Sequence, residues 1–453
     1  MAPGSPLSRT RYYYEGIESA PAVLRRHILH AKVTMNDTPS DCPHCPEDVA
    51  GGESAAANGA QTPAEQRFWG WTAIGLGILA FAKGIRQPND WSYTQAQLDY
   101  SAGFIRRGFF GATLRHLLQL NQYTHFAVLS TALLLLLFAV LVLLAHSSKL
   151  AGRTPPGELL AVYASSYSVS YLAHLNGYFD IPLALLCVVP LFVRSTGRRL
   201  AAALCCTVLA ILIHEQFFFA FLPLLIVSVL FGAATASTAS ERRLAWIGGT
   251  LLAVLGLGLT MNVVRQGSIS PVQTAELTQS IARLADHPLD PELFKVMSFT
   301  PRENMEIMKS VWRRPTFLLG QIEGLLLFAP TAALLSWATL LLLRRWMTGK
   351  HRWLYAAVLL ATLAPLSLHL VGWDKYRWDE LLSLNAFLLL LLVSRLAGGE
   401  PIHLPVWMRR ACLLVMLLNM ASGGGMLDDR HIRPFPFMRS PDALTTSAAV
   451  SLH

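Results

Sequence analysis

Long uninterrupted apolar stretches constrain the fold of this chain more than any other feature. The run from Thr124 to Ala145 is a clear case, and several runs reach about 18 residues or more, the length that an α-helix needs to cross a bilayer. Inside hydrocarbon every backbone N–H and C=O must be bonded within the protein, so only helices and closed barrels cross it. The sequence therefore predicts an all-α, multi-pass membrane protein.

The spacing of the apolar runs predicts about eleven transmembrane helices, within a range of roughly ten to twelve. Apolar residues make up 53% of the chain and charged residues only 14%, which excludes an ordinary soluble enzyme. The predicted spans are 68–85, 124–145, 158–175, 181–194, 200–213, 216–232, 244–264, 316–343, 353–371, 380–395 and 409–422. The polar segments 1–67 and 426–453 flank this 68–425 domain, and their composition predicts flexible tails.

Lysine and arginine collect in alternate connections between these spans. They are Lys149, Arg153, Arg194, Arg198, Arg199, Arg242, Arg243, Arg344, Arg345, Lys350, Arg352, Arg395, Arg409 and Arg410. Since positive loops stay in the cytoplasm, this pattern predicts a cytoplasmic N-terminus and an extracytoplasmic C-terminus. The net charge of +9 follows from the same loops and does not indicate nucleic-acid binding.

Alternation of the spans places polar residues from distant parts of the chain on the outer side. They are Asp90, Asp99, Arg106 and Arg107 in the loop 86–123, Asp180 before the fourth span, His214 and Glu215 at a helical hairpin tip, and Trp373, Asp374, Arg377, Asp379 and Glu380 near the tenth span. Each lies close to a span end, so we expect their side chains to converge in one cavity at the membrane surface.

Structural roles also fit several of these residues. Helix capping accounts for Asp180, Asp379 and Glu380 as well as a site does. Trp373 fits an aromatic belt at the membrane interface, and the arginine pair at 106–107 fits a loop helix anchored to anionic headgroups. The sequence leaves these alternatives open.

The first-loop aspartates, together with GYFDIPLALL around Asp180, resemble the GT-C superfamily of polytopic glycosyltransferases. Members carry an acidic residue in the first outer loop and a similar aspartate followed by an aliphatic run after the third span. This loop has no adjacent acidic pair, so Asp90 and Asp99 both stay open as the matching residue. The stretch SAGFIRRGFFG is also similar to a GFxRRGxxG signature of bacterial multi-pass membrane proteins, which does not name an activity.

The resemblance implies transfer of a hexosyl or pentosyl group from a polyprenyl-phosphate carrier to a glycan, lipid or protein acceptor outside the bacterial inner membrane. Such a reaction needs a carboxylate to take the acceptor proton and cations to hold the departing phosphate. The candidate catalytic residues are Asp90 as base, Asp99 as the alternative base, and Asp180. The candidate substrate and phosphate ligands are Arg106, Arg107, His214, Glu215, Trp373, Asp374 and Arg377. Asp90 and Asp180 would hold Mg²⁺ or Mn²⁺ if a metal is used.

The long segment from Arg265 to Pro315 contains the patches AELTQSIARLADH and ENMEIMKSVW, which predict helices lying on the membrane surface. They could cap the cavity or simply connect two spans. Two other functional classes stay open: a proton-coupled transporter or lipid-linked glycan flippase, and an envelope-assembly subunit without chemistry. The sequence shows no internal duplication and gathers its polar residues at one face, which argues against a carrier.

Overall fold

The computed structural model describes residues 63–150, 156–346, 351–372, 374, 376–396 and 404–421. Every regular element in this part of the chain is helical. Residues 1–62 and 426–453 of the predicted tails lie outside the described residues. Residues 63–67, which were also predicted to be tail, form the start of the first helix at Pro63. Trp373 also lies outside the described residues.

In chain order the longer helices are α1 (Pro63–Gly84), α2 (Asp90–Gln97), α3 (Tyr123–Leu150), α4 (Gly157–Ala164), α5 (Tyr167–His174), α6 (Asp180–Leu191), α7 (Thr196–Ile213), α8 (Leu222–Thr235), α9 (Ala239–Gln266), α10 (Pro271–Ala282), α11 (Pro291–Ser298), α12 (Pro301–Trp312), α13 (Pro315–Trp346), α14 (Trp353–Leu363), α15 (Arg377–Leu396) and α16 (Val406–Ala421). Shorter elements are Gly108–Phe110, which continues into a π-helical turn at Gly111–Arg115, then Phe217–Ala220 and a 3₁₀ segment at Ala364–Leu370.

Helices suited to crossing a bilayer are present along the described chain. The stretches that are long and apolar enough are Tyr123–His146, Thr196–Ile213, Ala239–Gln266, Pro315–Trp346 and Trp353–Leu370, with shorter apolar helices at Asp180–Leu191 and Leu222–Thr235. Large apolar side chains such as Ile247, Val254 and Leu326 lie exposed on their surfaces. Exposed apolar surface of this kind indicates insertion into a membrane.

The apolar run at 158–175 is divided into two helices, α4 and α5, which its composition did not indicate. The Ser165 hydroxyl donates to the Val162 carbonyl at 3.0 Å, and Ser166 is extended (φ −66°, ψ 154°). Serine side chains that bond to the local backbone compete with the helical ladder, so they favour a break at this point. The run at 353–371 changes instead from α14 to a 3₁₀ segment near Pro365. Proline has no backbone N–H and so cannot donate an α-helical hydrogen bond at this point.

Helix α15 lies at the centre of the bundle, because every residue from Arg377 to Ser394 is buried. It packs against α3, α5, α8, α13 and α14. The Asn385 amide donates to the carbonyls of Ala220 at 2.7 Å and Ala361 at 3.1 Å, which ties α15 to two neighbouring segments. A helix buried on all faces belongs to a protein core, so the polar groups at the start of α15 lie inside the protein.

The loop 86–122 and the segment 267–314 fold against each other, and we call the two together the outer layer, after the predicted topology. Their shared apolar core consists of Leu98, Ile105, Ile269, Leu277, Ile281, Leu293, Phe294 and Met297. Capping boxes at Ser270 and Thr300, each followed by proline, begin α10 and α12. The outer layer gives residues 106–107 a defined position beside the helical bundle.

Candidate functional site

Arg377, the first residue of α15, is the centre of a buried polar network. Its Nε donates to Asp180 Oδ2 at 2.7 Å, its Nη2 to Gln216 Oε1 at 3.1 Å, and its Nη1 to Asp374 Oδ2 at 3.1 Å. The Gln216 amide donates in turn to Asp180 Oδ1 at 2.5 Å. Both carboxylate oxygens of Asp180 are therefore bonded, and the Asp180 side chain is 0% exposed. Charge-assisted bonds of this kind hold α6, the α7 hairpin tip and α15 in one geometry.

A second ion pair joins the outer layer to the same hairpin tip. The Arg107 Nη2 lies 2.6 Å from Glu215 Oε1, its Nε lies 3.1 Å and 3.2 Å from the two carboxylate oxygens, and each side chain is only 13% exposed. Glu215 precedes Gln216 in the chain, so the two networks share this tip. We call Arg107, Asp180, Glu215, Gln216, Asp374 and Arg377 together the charged cluster.

Arg107 adopts a left-handed backbone conformation with φ 66° and ψ 3°. A residue with a Cβ atom is strained there by about 1–2 kcal/mol, and such strain persists only where the surroundings hold it. The ion pair with Glu215 supplies that constraint. The strained turn also separates neighbouring side chains, since Arg106 points into the outer layer and Arg107 points to the hairpin tip.

The Arg107→Gly variant is expected to have a free energy of unfolding about 1 kcal/mol higher than that of Arg107→Ala. Both changes remove the ion pair, but only glycine accepts φ 66° without strain. Thermal unfolding in detergent measures the difference. The same two substitutions at Arg313, an exposed residue with φ −79°, provide a control in which alanine is the more stable variant. Equal stabilities of the two Arg107 variants would show that this residue is not left-handed in solution.

The charges at the hairpin tip are set by opposing effects on His214 and Glu215. Burial raises the pKa of Glu215, but Arg107 and the more distant Arg106 outweigh burial and hold that pKa well below its usual range. Burial lowers the pKa of His214 well below its usual value, and Arg107 lowers it further, whereas Glu215 only partly opposes them. His214 is therefore neutral at pH 7 and Glu215 is ionised. Consistent with a neutral ring, His214 Nδ1 accepts the Gln216 backbone N–H at 3.2 Å.

Asp90 lies at the exposed edge of the outer layer. Its side chain is 56% exposed, and its Oδ1 lies 2.9 Å from His287 Nε2. It reaches the charged cluster only indirectly: neighbouring Asn89 donates to the Tyr178 hydroxyl at 2.9 Å, and the Arg377 guanidinium lies 4.9 Å from the Tyr178 ring centroid. Asp90 is thus on the same side as Asp180 but is not among its hydrogen-bond partners.

Asp99 and Arg106 have structural partners. Asp99 accepts from the backbone and hydroxyl of Ser101 and forms a buried ion pair with Arg115. The Arg106 guanidinium donates to the carbonyl of Val296 at 2.6 Å and to two others at the end of α11. A cation at a helix C-terminus satisfies carbonyls that have no partner in the helix. These contacts account for both residues without a substrate.

Sequence reasoning missed the polar partners of Asp379 and Glu380 at the start of α15. His369 Nε2 lies 3.0 Å from Asp379 Oδ1, and both side chains are at least nine-tenths buried. Glu380, which is 0% exposed, accepts from the Ser168 hydroxyl at 3.0 Å. His369 and Ser168 lie inside apolar runs, so only the cost of burying a polar group in such a run could have identified them.

The donor set does not favour a divalent ion at Asp180. Among the described residues, no group of three or more His, Cys, Asp or Glu side chains is arranged to hold a metal. Mg²⁺ and Ca²⁺ need several oxygen ligands, whereas both oxygens of Asp180 are already bonded to Arg377 and Gln216. Asp90 is 56% exposed and pairs with His287, and Asp180 is not among its partners.

The charged cluster holds three carboxylates and two guanidiniums and is partly open. Its carboxylates at 180, 215 and 374 face the guanidiniums of Arg107 and Arg377, with Arg106 near enough to lower the pKa of Glu215. Asp374 is its most accessible member, with a side chain that is 44% exposed. An incoming anion can therefore replace Asp374 on Arg377 at lower cost than it can replace the fully buried Asp180.

Comparison with known proteins adds no assignment. No family model, curated protein or solved structure matches this chain.

Proposed function

We propose that this chain is a polytopic membrane glycosyltransferase with a GT-C-like arrangement of about eleven spans. It moves a sugar from a polyprenyl-phosphate carrier to an acceptor on the outer face of the bacterial inner membrane. The convergence of Arg107, Glu215, Asp180, Arg377 and Asp374 from four distant segments at one end of the bundle carries this proposal. The buried Arg377 guanidinium, with the accessible Asp374 carboxylate beside it, suits a lipid phosphate.

In the proposed reaction the departing phosphate displaces Asp374 and binds Arg377, whose geometry is kept by Asp180 and Gln216. Asp180 is thus a positioning residue instead of a base, because its oxygens are both occupied. The acceptor oxygen forms a bond to the anomeric carbon as the bond from that carbon to the phosphate oxygen breaks. The acceptor proton passes to Asp90, an exposed carboxylate on the same side as Asp180.

Asp90→Asn is expected to reduce sugar transfer at least a hundredfold, because loss of a general base costs about 10²–10⁴ in rate. The assay supplies purified protein with a panel of polyprenyl-phosphate sugars and measures transfer or carrier hydrolysis. Glu306→Gln is the matched control, since Glu306 is an equally exposed carboxylate of the outer layer paired with Lys309. Full activity in Asp90→Asn would show that Asp90 is not the base. If wild-type protein turned over no donor, the glycosyltransferase proposal would be wrong.

A proton-coupled carrier is the second candidate, and Glu380 is the observation that favours it. Glu380 lies fully buried in the first turn of the central helix, and its Oε1 has no hydrogen-bond partner among the described residues. Buried carboxylates inside a helical bundle are typical of proton relays. Proton-dependent uptake into liposomes, lost in Glu380→Gln and unaccompanied by sugar transfer, would establish the carrier over the transferase.

A further inference from the structure

A groove separates α1 from α3 on the surface of the bundle. Helix α1 packs on α4 and α5, whereas α3 packs on α6 and α15, so the two helices diverge. The groove between them has a volume of about 620 Å³. The stacked rings of Tyr163 and Phe387, 3.9 Å apart, form its floor. The rings of Phe81 and Phe138, at 5.7 Å, close one end.

The groove is long, apolar and open to the membrane. Its wall on α1 extends from Gln66 to Phe81, which is about 22 Å at 1.5 Å per residue. That length exceeds one leaflet of the hydrocarbon core, about 15 Å. Trp71 (73% exposed), Ile78 (65%) and Val142 (60%) form its rim. Side chains this apolar and this exposed face lipid tails.

The open end of the groove is polar and basic. Gln66 and Arg67 at the start of α1 and His146 near the end of α3 line it. This end lies at the opposite end of α1 from the loop that carries Asn89, so the groove is separate from the charged cluster. A cation at the membrane interface beside an apolar channel is complementary to an anionic lipid, with the phosphate at the cation and one chain in the channel.

We propose that this groove binds one acyl chain of an anionic glycerophospholipid, whose phosphate lies against Arg67 and His146. The lipid comes from the leaflet at the N-terminal end of α1, and the site is independent of the proposed glycosyl transfer. Gly70 and Gly77 place no side chain on the α1 wall at their own positions. A Cβ atom at Gly70 meets no atom within 4 Å, so the space beside it is open to the ligand.

Gly70→Leu tests the proposal by placing a side chain in the groove at a position where its Cβ atom meets no atom within 4 Å. Gly75→Leu is its matched control, because a Cβ atom at Gly75 also meets nothing within 4 Å but Gly75 does not line the groove. The full chain is purified in mild detergent from membranes, incubated with phosphatidylglycerol or phosphatidylethanolamine, and examined by native mass spectrometry. We expect wild type and Gly75→Leu to retain phosphatidylglycerol. We expect Gly70→Leu to retain at least fivefold less bound phosphatidylglycerol than wild type. Equal retention by the two leucine variants would overturn the proposal.

Two further measurements identify the headgroup contact and the occupant. Arg67→Gln should still retain lipid but lose the preference for phosphatidylglycerol over phosphatidylethanolamine; an unchanged preference would refute the phosphate contact. A photo-crosslinking amino acid at Ile74, which lines the groove, should label phospholipid in native membranes. Labelling of residues 1–62 of this chain instead would show that the preceding segment fills the groove and would overturn the lipid assignment.

Discussion

Arg377→Met is expected to lower the free energy of unfolding by about 3–5 kcal/mol, because it leaves a buried carboxylate without its cation. Asp180 is 0% exposed and, among the described residues, would retain only the Gln216 amide as a hydrogen-bond partner. The same change should abolish sugar transfer, since Arg377 is the proposed phosphate ligand. Thermal and denaturant unfolding in detergent measure the first effect, and the transfer assay measures the second.

The double variant Asp180→Asn/Arg377→Met separates a charge effect from simple loss of packing. Removing both charges together avoids the unpaired carboxylate, so the double variant should be more stable than Arg377→Met alone by about 2 kcal/mol or more. Asp374→Asn is the control, because its 44% exposed side chain makes a surface pair worth less than about 1 kcal/mol. Strictly additive losses in the double variant would contradict a coupled buried pair.

Stability is expected to fall in two stages on acidification, through His214 first and Glu215 second. The folded protein holds the pKa of His214 well below the ordinary histidine value of 6.5, so below about pH 6.5 the unfolded chain binds a proton that the folded chain does not. The folded protein also holds the pKa of Glu215 below the ordinary glutamate value of 4.5, so its stabilising contribution is present above about pH 4.5 and is lost as pH falls further. For each such proton, the free energy of unfolding falls by about 1.4 kcal/mol for every pH unit of acidification.

Two variants assign the stages. His214→Asn should remove the loss that begins near pH 6.5, while its side-chain oxygen can still accept the Gln216 backbone N–H. Glu215→Gln should remove the lower stage and should also cost about 3 kcal/mol at pH 7, because Arg107 loses its partner. Melting temperatures measured from pH 8 to pH 3 provide the test. An unchanged profile in both variants would mean that other groups control acid sensitivity.

The apolar pattern predicted helices at every run, and alternation of the runs predicted which polar residues lie at one end of the bundle. Five of these residues do contact one another, through the ion pairs of Arg377 with Asp180 and Asp374 and of Arg107 with Glu215. Asp90, Asp99 and Arg106 have their partners elsewhere. The helix-capping interpretation of Asp180 was wrong, because Phe179 is the capping residue and the Asp180 carboxylate turns to Arg377 instead.

Individual partners could not be predicted, because they depend on side-chain direction. Arg106 and Arg107 are identical and adjacent in the sequence, yet one bonds α11 carbonyls and the other bonds Glu215. The left-handed backbone at Arg107 separates them, and no local residue pattern encodes that conformation in a non-glycine residue. His369 was missed for a related reason, since its partner Asp379 becomes its neighbour only where the 3₁₀ segment meets α15.

The complete burial of α15 has a consequence for biosynthesis. A helix that enters the bilayer alone must be apolar enough to partition into lipid, and an aspartate at its centre costs about 2.5–3.5 kcal/mol on insertion scales. α15 carries Asp379, Glu380 and Asn385 on faces that contact protein only. The helices it packs against all precede it along the chain, so they emerge from the ribosome first. We therefore expect α15 to enter the membrane more readily once those helices are in place to contact its polar side chains.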